Sequence, residues 1–103
     1  MTNALDVASD AATFVDTSLI PRMGAGMKFR HDPVRNAWVI LGPERLFVPD
    51  DHAVAVLRLV DGRRPLSEIV AALAAAYDAP VDLILADVWS MLCDLAASGA
   101  IRW

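Results

Sequence analysis

The segment AWVILGPERLFVPDDHAV, residues 37–54, decides the fold. It holds two apolar runs parted by Gly42 and Pro43, then a proline and two aspartates, then the first residues of an apolar pattern with helical spacing. A glycine at the first central position of a turn and proline's fixed negative φ at the second suit a type II′ hairpin, so residues 37–41 and 44–48 are expected to pair antiparallel. Leu46, Phe47 and Val48 are apolar in succession, so both faces of the second strand call for burial, while Pro49 behind them suits a sheet edge. A sticky strand at an edge needs something to cover it.

Upstream, MKFRHD (27–32) alternates Met27 and Phe29 against Lys28 and Arg30, the period of a half-buried strand, and DPVRN supplies turn formers. Three consecutive strands make a meander. Downstream, Asp50 or Asp51 can accept from the free N–H groups of a first helical turn, and Ala53, Val56, Leu57 and Val60 recur at helical spacing until Asp61-Gly62. Pro65 fits the first turn of a second helix whose apolar face is Leu66, Ile69, Val70, Leu73 and Tyr77, stopped by Ala79-Pro80. A third helix is expected over 82–98, closed by Gly99 in a left-handed cap. The fold class is therefore α+β: a three-stranded antiparallel sheet followed by three helices, in the manner of a winged helix-turn-helix.

With 103 residues the chain can close one modest core. Hydrophobic content is 56% and mean hydropathy +0.43, yet the longest apolar run, 69–77, is far short of the roughly 18 residues a membrane span needs. The N-terminus lacks the basic start and apolar block of a secretory signal, and one cysteine makes no internal disulfide, so a soluble, cytoplasmic protein is expected. Residues 1–26 carry Asp6, Asp10, Asp16 and Arg22, show no sustained period and end in GAG; they read as a flexible leader or linker, with a short helix over 7–16 as the alternative. The domain proper is then expected over residues 27–103.

Charge is unevenly spread. The net value is -4, but Lys28, Arg30, Arg35 and Arg45 against Asp32 and Glu44 leave the strand region positive, and the helices hold the acidic surplus. Lys28 and Arg30 charge the first strand, as proteins do to discourage edge pairing, whereas the third has only Arg45 before Leu46, Phe47 and Val48. One edge is guarded and the other open.

On the third helix Ile84, Val88, Met91, Leu92 and Leu95 form the stripe a three-helix core requires, and Leu85, Trp89, Cys93 and Ala96 widen the apolar arc to roughly 200°, twice what one buried stripe uses. Two readings stand. Leu85 and Trp89 pack under the sheet or the C-terminal AIRW, or they floor a groove in which an extended peptide adds to the free edge of the third strand.

No catalytic constellation emerges. His31 and His52 lack partners at metal-ligand spacing, Cys93 is expected as a packed and inert thiol, and Asp50-Asp51 are explained by capping. No metal, cofactor or enzymatic activity is expected. DNA binding is the rival for such a fold, but the would-be recognition helix carries Asp82, Asp87 and Asp94 without a Lys or Arg, which repels phosphates; Arg35, Arg63 and Arg64 are the only contacts on offer.

The segments MKFRHDPVRNAWVILGPERLFVPDDHAVAVLRLVDG, EIVAALAAAYDA and DVWSMLCDLAASGAI together resemble the PqqD family of pyrroloquinoline quinone biosynthesis. The resemblance covers residues 27–101 and rests chiefly on Arg30 with Asp32 and Arg35, on Pro43-Glu44-Arg45, on Asp61-Gly62 and on DVWSML from Asp87. It implies a RiPP recognition element: a noncatalytic peptide chaperone that binds the precursor peptide PqqA as an added strand and presents it to the radical SAM enzyme PqqE. The residues carried over are Arg45, Leu46, Phe47 and Val48 for the strand edge and Leu85, Val88, Trp89, Leu92 and Cys93 for the helix side. Arg30, Asp32 and Arg35 either fix the first hairpin or meet the enzyme partner. Pro65 departs from the resemblance where a Thr or Ser cap is expected, and residues 1–26 lie outside it. A DNA-binding winged helix and a domain whose open edge pairs with a second copy in a homodimer remain as alternatives.

Overall fold

Alternation and helical periodicity both express themselves as expected in the computed structural model, which describes residues 15–103. Strand β1 is Arg22–Met23, β2 Lys28–Asp32, β3 Ala37–Gly42, β4 Arg45–Phe47 and β5 Ile101–Arg102; helix α1 is Asp51–Leu57, α2 Leu66–Tyr77 and α3 Val81–Ala97. The sheet β2-β3-β4 is an antiparallel meander, and β1 pairs with β5 in a separate two-stranded ribbon. Register places Phe29, Ile40 and Phe47 in one cross-strand row. Ile40, fully buried, meets Val56 and Leu57 of α1, Leu66, Ile69 and Val70 of α2 and Val88 and Leu92 of α3 in the core, each large side chain contributing about 1.5–3 kcal/mol by leaving water.

The β3–β4 turn differs by one residue from the expected one. Gly42 pairs with Arg45, so the central residues are Pro43 and Glu44, and Glu44 takes the positive φ of 58°. Proline at the first central position and a left-handed second residue are the marks of a type II turn rather than II′. Gly42 itself is not left-handed. The Met27 thioether lies where its Cβ would stand, so a larger residue here would make that flexible side chain move.

Asp50 caps α1, its Oδ1 accepting from the Ala53 N–H at 2.8 Å. The helix ends at Leu57, earlier than the period through Val60 suggested: Leu59 and Val60 donate to carbonyls three residues back, and Asp61 Oδ1 then accepts from the N–H groups of Arg63 and Arg64 at 2.9 Å. The α3 terminus follows expectation, with Gly99 at φ 82°, Gly99 N–H donating to the Ala96 carbonyl and Ala100 N–H to the Leu95 carbonyl, the paired bonds of a Schellman cap.

The segment expected as a linker is docked over residues 15–26; the expected short helix at 7–16 falls mostly on residues 1–14, outside the described residues. Pro65, at the α2 N-cap, offers no side-chain bond, and the carbonyls of Leu19 and Thr17 accept instead from Leu66 N–H at 2.7 Å and Ser67 N–H at 2.9 Å. Main chain from the leader thus does the work of the missing Thr or Ser cap. Pro21 is buried, and Arg22 and Met23 pair with Arg102 and Ile101, so the two ends of the described chain are laced together.

Candidate functional site

β4 is an edge strand; its Leu46 and the Val48 that follows it are exposed apolar side chains, 40% and 61% accessible. A two-residue loop closes on a hydrogen-bonded pair, here Gly42 with Arg45; the antiparallel alternation then turns the main-chain groups of Leu46 outward and those of Phe47 back toward Ile40. Within the run 45–48, therefore, Leu46 carries the free donor and acceptor of the strand, and half-buried Phe47 packs against the core.

Arg45, on the same face as Phe47, donates from its guanidinium to the Ser98 carbonyl at 2.7 Å. The Schellman bonds leave that C-cap carbonyl free, and a cation there also suits the negative end of the helix dipole. One side chain ties the open edge to the end of α3.

α3 buries Val88 and Leu92, so these two of the sequence candidates belong chiefly to the core; Leu92 has no exposed surface, and Val88 keeps only a trace, at the wall of a cavity. Their neighbours on both flanks are half-buried: Ile84, Met91 and Leu95 on one, Leu85, Trp89 and Ala96 on the other. Trp89 stacks on Trp103 with ring centroids 5.4 Å apart and planes at 24°, which is the packing against the C-terminal AIRW considered above. Cys93 is exposed, contrary to the packed thiol expected, because it falls beyond Trp89 on the outer rim of the arc.

The opposite flank faces a cavity of about 190 Å³ lined by His52, Ala55 and Val56 of α1, Leu73 and Tyr77 of α2, and Ile84, Asp87, Val88 and Met91 of α3. Of these only Val88 was among the sequence candidates. Helical periodicity shows how wide an apolar arc is but not which flank a neighbouring element leaves uncovered. A second, shallower hollow lies under the sheet between Met23, Phe29, Trp38, Leu57, Arg58 and Val60, where Phe29 stacks on Trp38 at 4.9 Å and the Arg58 guanidinium stands 5.6 Å from the Trp38 ring centre.

Asp32 and Arg35 fix the first hairpin. Asp32 Oδ1 accepts from Val34 N–H at 2.9 Å and Oδ2 from the Arg35 guanidinium at 2.9 Å. That guanidinium bond, helped by the main-chain donors of Val34 and Arg35, holds the Asp32 carboxyl below its usual range. Arg30 is exposed on β2 and makes no side-chain bond or ion pair among the described residues. Those residues contain no group of three or more His, Cys, Asp or Glu side chains placed to hold a metal ion, and no helix long and apolar enough to cross a membrane.

A three-stranded antiparallel meander with one open apolar edge, followed by three helices and tied to the last of them by Arg45, defines a winged helix-turn-helix-like α+β domain. Comparison with known proteins narrows the class. The chain belongs to the PqqD family, its residues 37–101 matching the model for coenzyme PQQ synthesis protein D. It is 47% identical over 94 residues to the bifunctional coenzyme PQQ synthesis protein C/D of Methylorubrum extorquens, covering 86% of this chain but only 25% of that protein, so it spans about a quarter of that relative's length. To the PqqA binding protein of Bradyrhizobium diazoefficiens it is 49% identical over 72 residues, 70% of each chain. Its fold matches the solution structure of the PqqD truncation of Methylobacterium extorquens PqqCD, a functional and stand-alone RiPP recognition element, with TM-score 0.71, 44% identity and coverage of 89% of this chain and 98% of the other. PqqD from Xanthomonas campestris matches with TM-score 0.54 and 34% identity, covering 86% of this chain and 99% of that one.

Proposed function

We propose that this chain is a noncatalytic, cytoplasmic peptide chaperone that captures the precursor peptide PqqA as a fourth strand beside β4 and presents it to the radical SAM enzyme PqqE. The observation that carries the reading is the open β4 edge, with Leu46 exposed, its main-chain groups turned outward, and Arg45 tying the strand to the end of α3. A peptide strand gains main-chain hydrogen bonds there, each worth about 0.5–1.5 kcal/mol net, and its side chains reach the half-buried α3 residues, which supply selection. Relatives 47–49% identical include proteins named for binding PqqA, which supports the choice of ligand.

The acid-only face of α3 weighs against nucleic acid, since Asp82, Asp87 and Asp94 meet no Lys or Arg on that helix. The same open edge would also pair with a second copy, so self-association is the competing use. A backbone amide NMR titration with PqqA, and separately with a short DNA duplex, tests the reading. Expected are shifts concentrated at residues 45–48 and on α3 with PqqA alone. Silence with PqqA, or shifts at Arg35, Arg63 and Arg64 with DNA, would overturn it.

A further inference from the structure

The cavity between the helices is too small for a cofactor-sized ligand, for which pockets run to about 300 Å³ and more, yet at about 190 Å³ it has room for one large side chain. Its walls are apolar, formed in part by Val56, Leu73, Ile84 and Met91, and the flexible thioether of Met91 can adapt to what enters. Asp87 stands on the rim and has no ion-pair partner among the described residues. None is at hand nearby in sequence, because residues 65–101, which supply α2 and α3, hold five acidic side chains and not one Lys or Arg. His52 marks the opposite rim in the first turn of α1, three positions after the Pro49 that ends the β4 run, so only a short piece of chain separates the end of the open edge from the cavity rim.

We propose that this cavity seats one bulky apolar side chain of the captured peptide, from a segment that carries a Lys or Arg beside it to meet the Asp87 carboxylate. The proposal rests on peptide capture at β4 and adds the feature of the ligand that is read: an apolar residue with an adjoining cation. Apolar walls select the first and the unpaired acid the second, and an acidic residue placed beside Asp87 in the peptide is repelled on the α2–α3 side, which has no Lys or Arg to offset it.

The test is calorimetric titration of the full chain with PqqA. Ala55→Leu fills the cavity without disfavouring the helix and is expected to weaken binding about tenfold, the loss typical of a blocked anchor pocket. Asp87→Asn, at an exposed position, is expected to weaken it several-fold, roughly the worth of an exposed ion pair, and to flatten its salt dependence. Asp87→Lys should weaken it further and recover with a PqqA variant whose pairing Lys or Arg is replaced by Glu. If both Ala55→Leu and Asp87→Asn bind as the unaltered chain does while Leu46→Pro abolishes binding, the cavity proposal fails and strand capture stands. If PqqA does not bind the unaltered chain, the capture reading fails and takes this one with it. The chain's own exposed Val34 beside Arg35 has the same chemistry, so a dimer that Val34→Asp and Ala55→Leu each dissolve would assign the cavity to a second copy and overturn the proposal.

Discussion

β2 and β4 are both edges of one sheet, built from the same kind of short strand, and they treat an approaching chain differently. β2 presents Lys28 and Arg30 as exposed residues and is left through a turn pinned by Asp32 and Arg35. β4 presents Leu46, is followed by exposed Val48, and is entered through a turn whose left-handed residue is Glu44. Charged edges discourage strand addition and apolar ones permit it, so within a single small sheet the chain both prevents and invites the same interaction. The difference teaches that the open edge is no accident of size, since the means to close it stands two strands away.

The largest expected effect breaks this comparison directly. Leu46→Pro removes the outward-facing amide, leaves the β3 pairing intact and puts a ring where the added strand must approach. PqqA affinity should therefore fall on the order of 100-fold, as the bonds to the Leu46 amide and carbonyl, about 1 kcal/mol each, are lost together with the close approach of the strands. By the same alternation the His31 amide faces outward from β2, and His31→Pro should leave affinity nearly unchanged. Equal losses in fluorescence-monitored titrations of the two variants would mean that the edges are not distinguished.

The comparison also marks what was legible in the sequence. The meander, the three helices and the guarded edge could be read because Met27 to Arg30 alternate and Leu66 to Tyr77 repeat at helical spacing, periods that survive without tertiary information. The β1–β5 ribbon could not: strands of two residues carry no period, and Arg22 finds its partner in Arg102 at the other end of the chain. The capping of α2 by Thr17 and Leu19 was equally hidden, since main-chain carbonyls have no sequence signature, although Pro65 in place of a capping hydroxyl hinted that something else must serve. At the site, the apolar edge was visible, but whether Trp89 faced a ligand or Trp103 depended on which way α3 is rotated, and the lining by His52, Ala55 and Asp87 depended on where three helices fail to meet.

Arginine on each edge sharpens the contrast at an intermediate scale. Arg45→Ala removes the bond to the Ser98 carbonyl that ties β4 to α3, a charge-assisted contact at a helix C-terminus worth about 0.3–1 kcal/mol when exposed. The melting temperature should fall by a few degrees, as about 1 kcal/mol shifts a domain this size by 4–8 °C. Because the same bond sets the separation of strand and helix, PqqA affinity should also weaken a few-fold. Arg30→Ala has no such bond to lose and should change neither quantity, and matching losses in both variants would show that charge alone, not the tie to α3, is responsible.

The smallest effect concerns the turn that follows the guarded edge. The Asp32 carboxyl is held below its usual range first by the Arg35 guanidinium and then by main-chain donors, so its contribution to the fold is present above the ordinary carboxylate range and is lost as pH falls through the depressed value. Acidification to about pH 3, below the ordinary aspartate value of roughly 3.9, should therefore begin to release Val34 and Arg35 while the Pro43-Glu44 turn, which has no such carboxylate clasp among its described bonds, stays unchanged. Amide shifts followed against pH would show this, with Val34 and Arg35 titrating together below the usual carboxylate midpoint. Asp32→Asn keeps an acceptor for Val34 but not the charge, and should remove the titration while preserving the hairpin register. If Val34 and Arg35 titrate at the ordinary carboxylate value, or continue to titrate in Asp32→Asn, the clasp is not what holds that turn, and the guarded edge owes its order to the β2–β3 ladder alone.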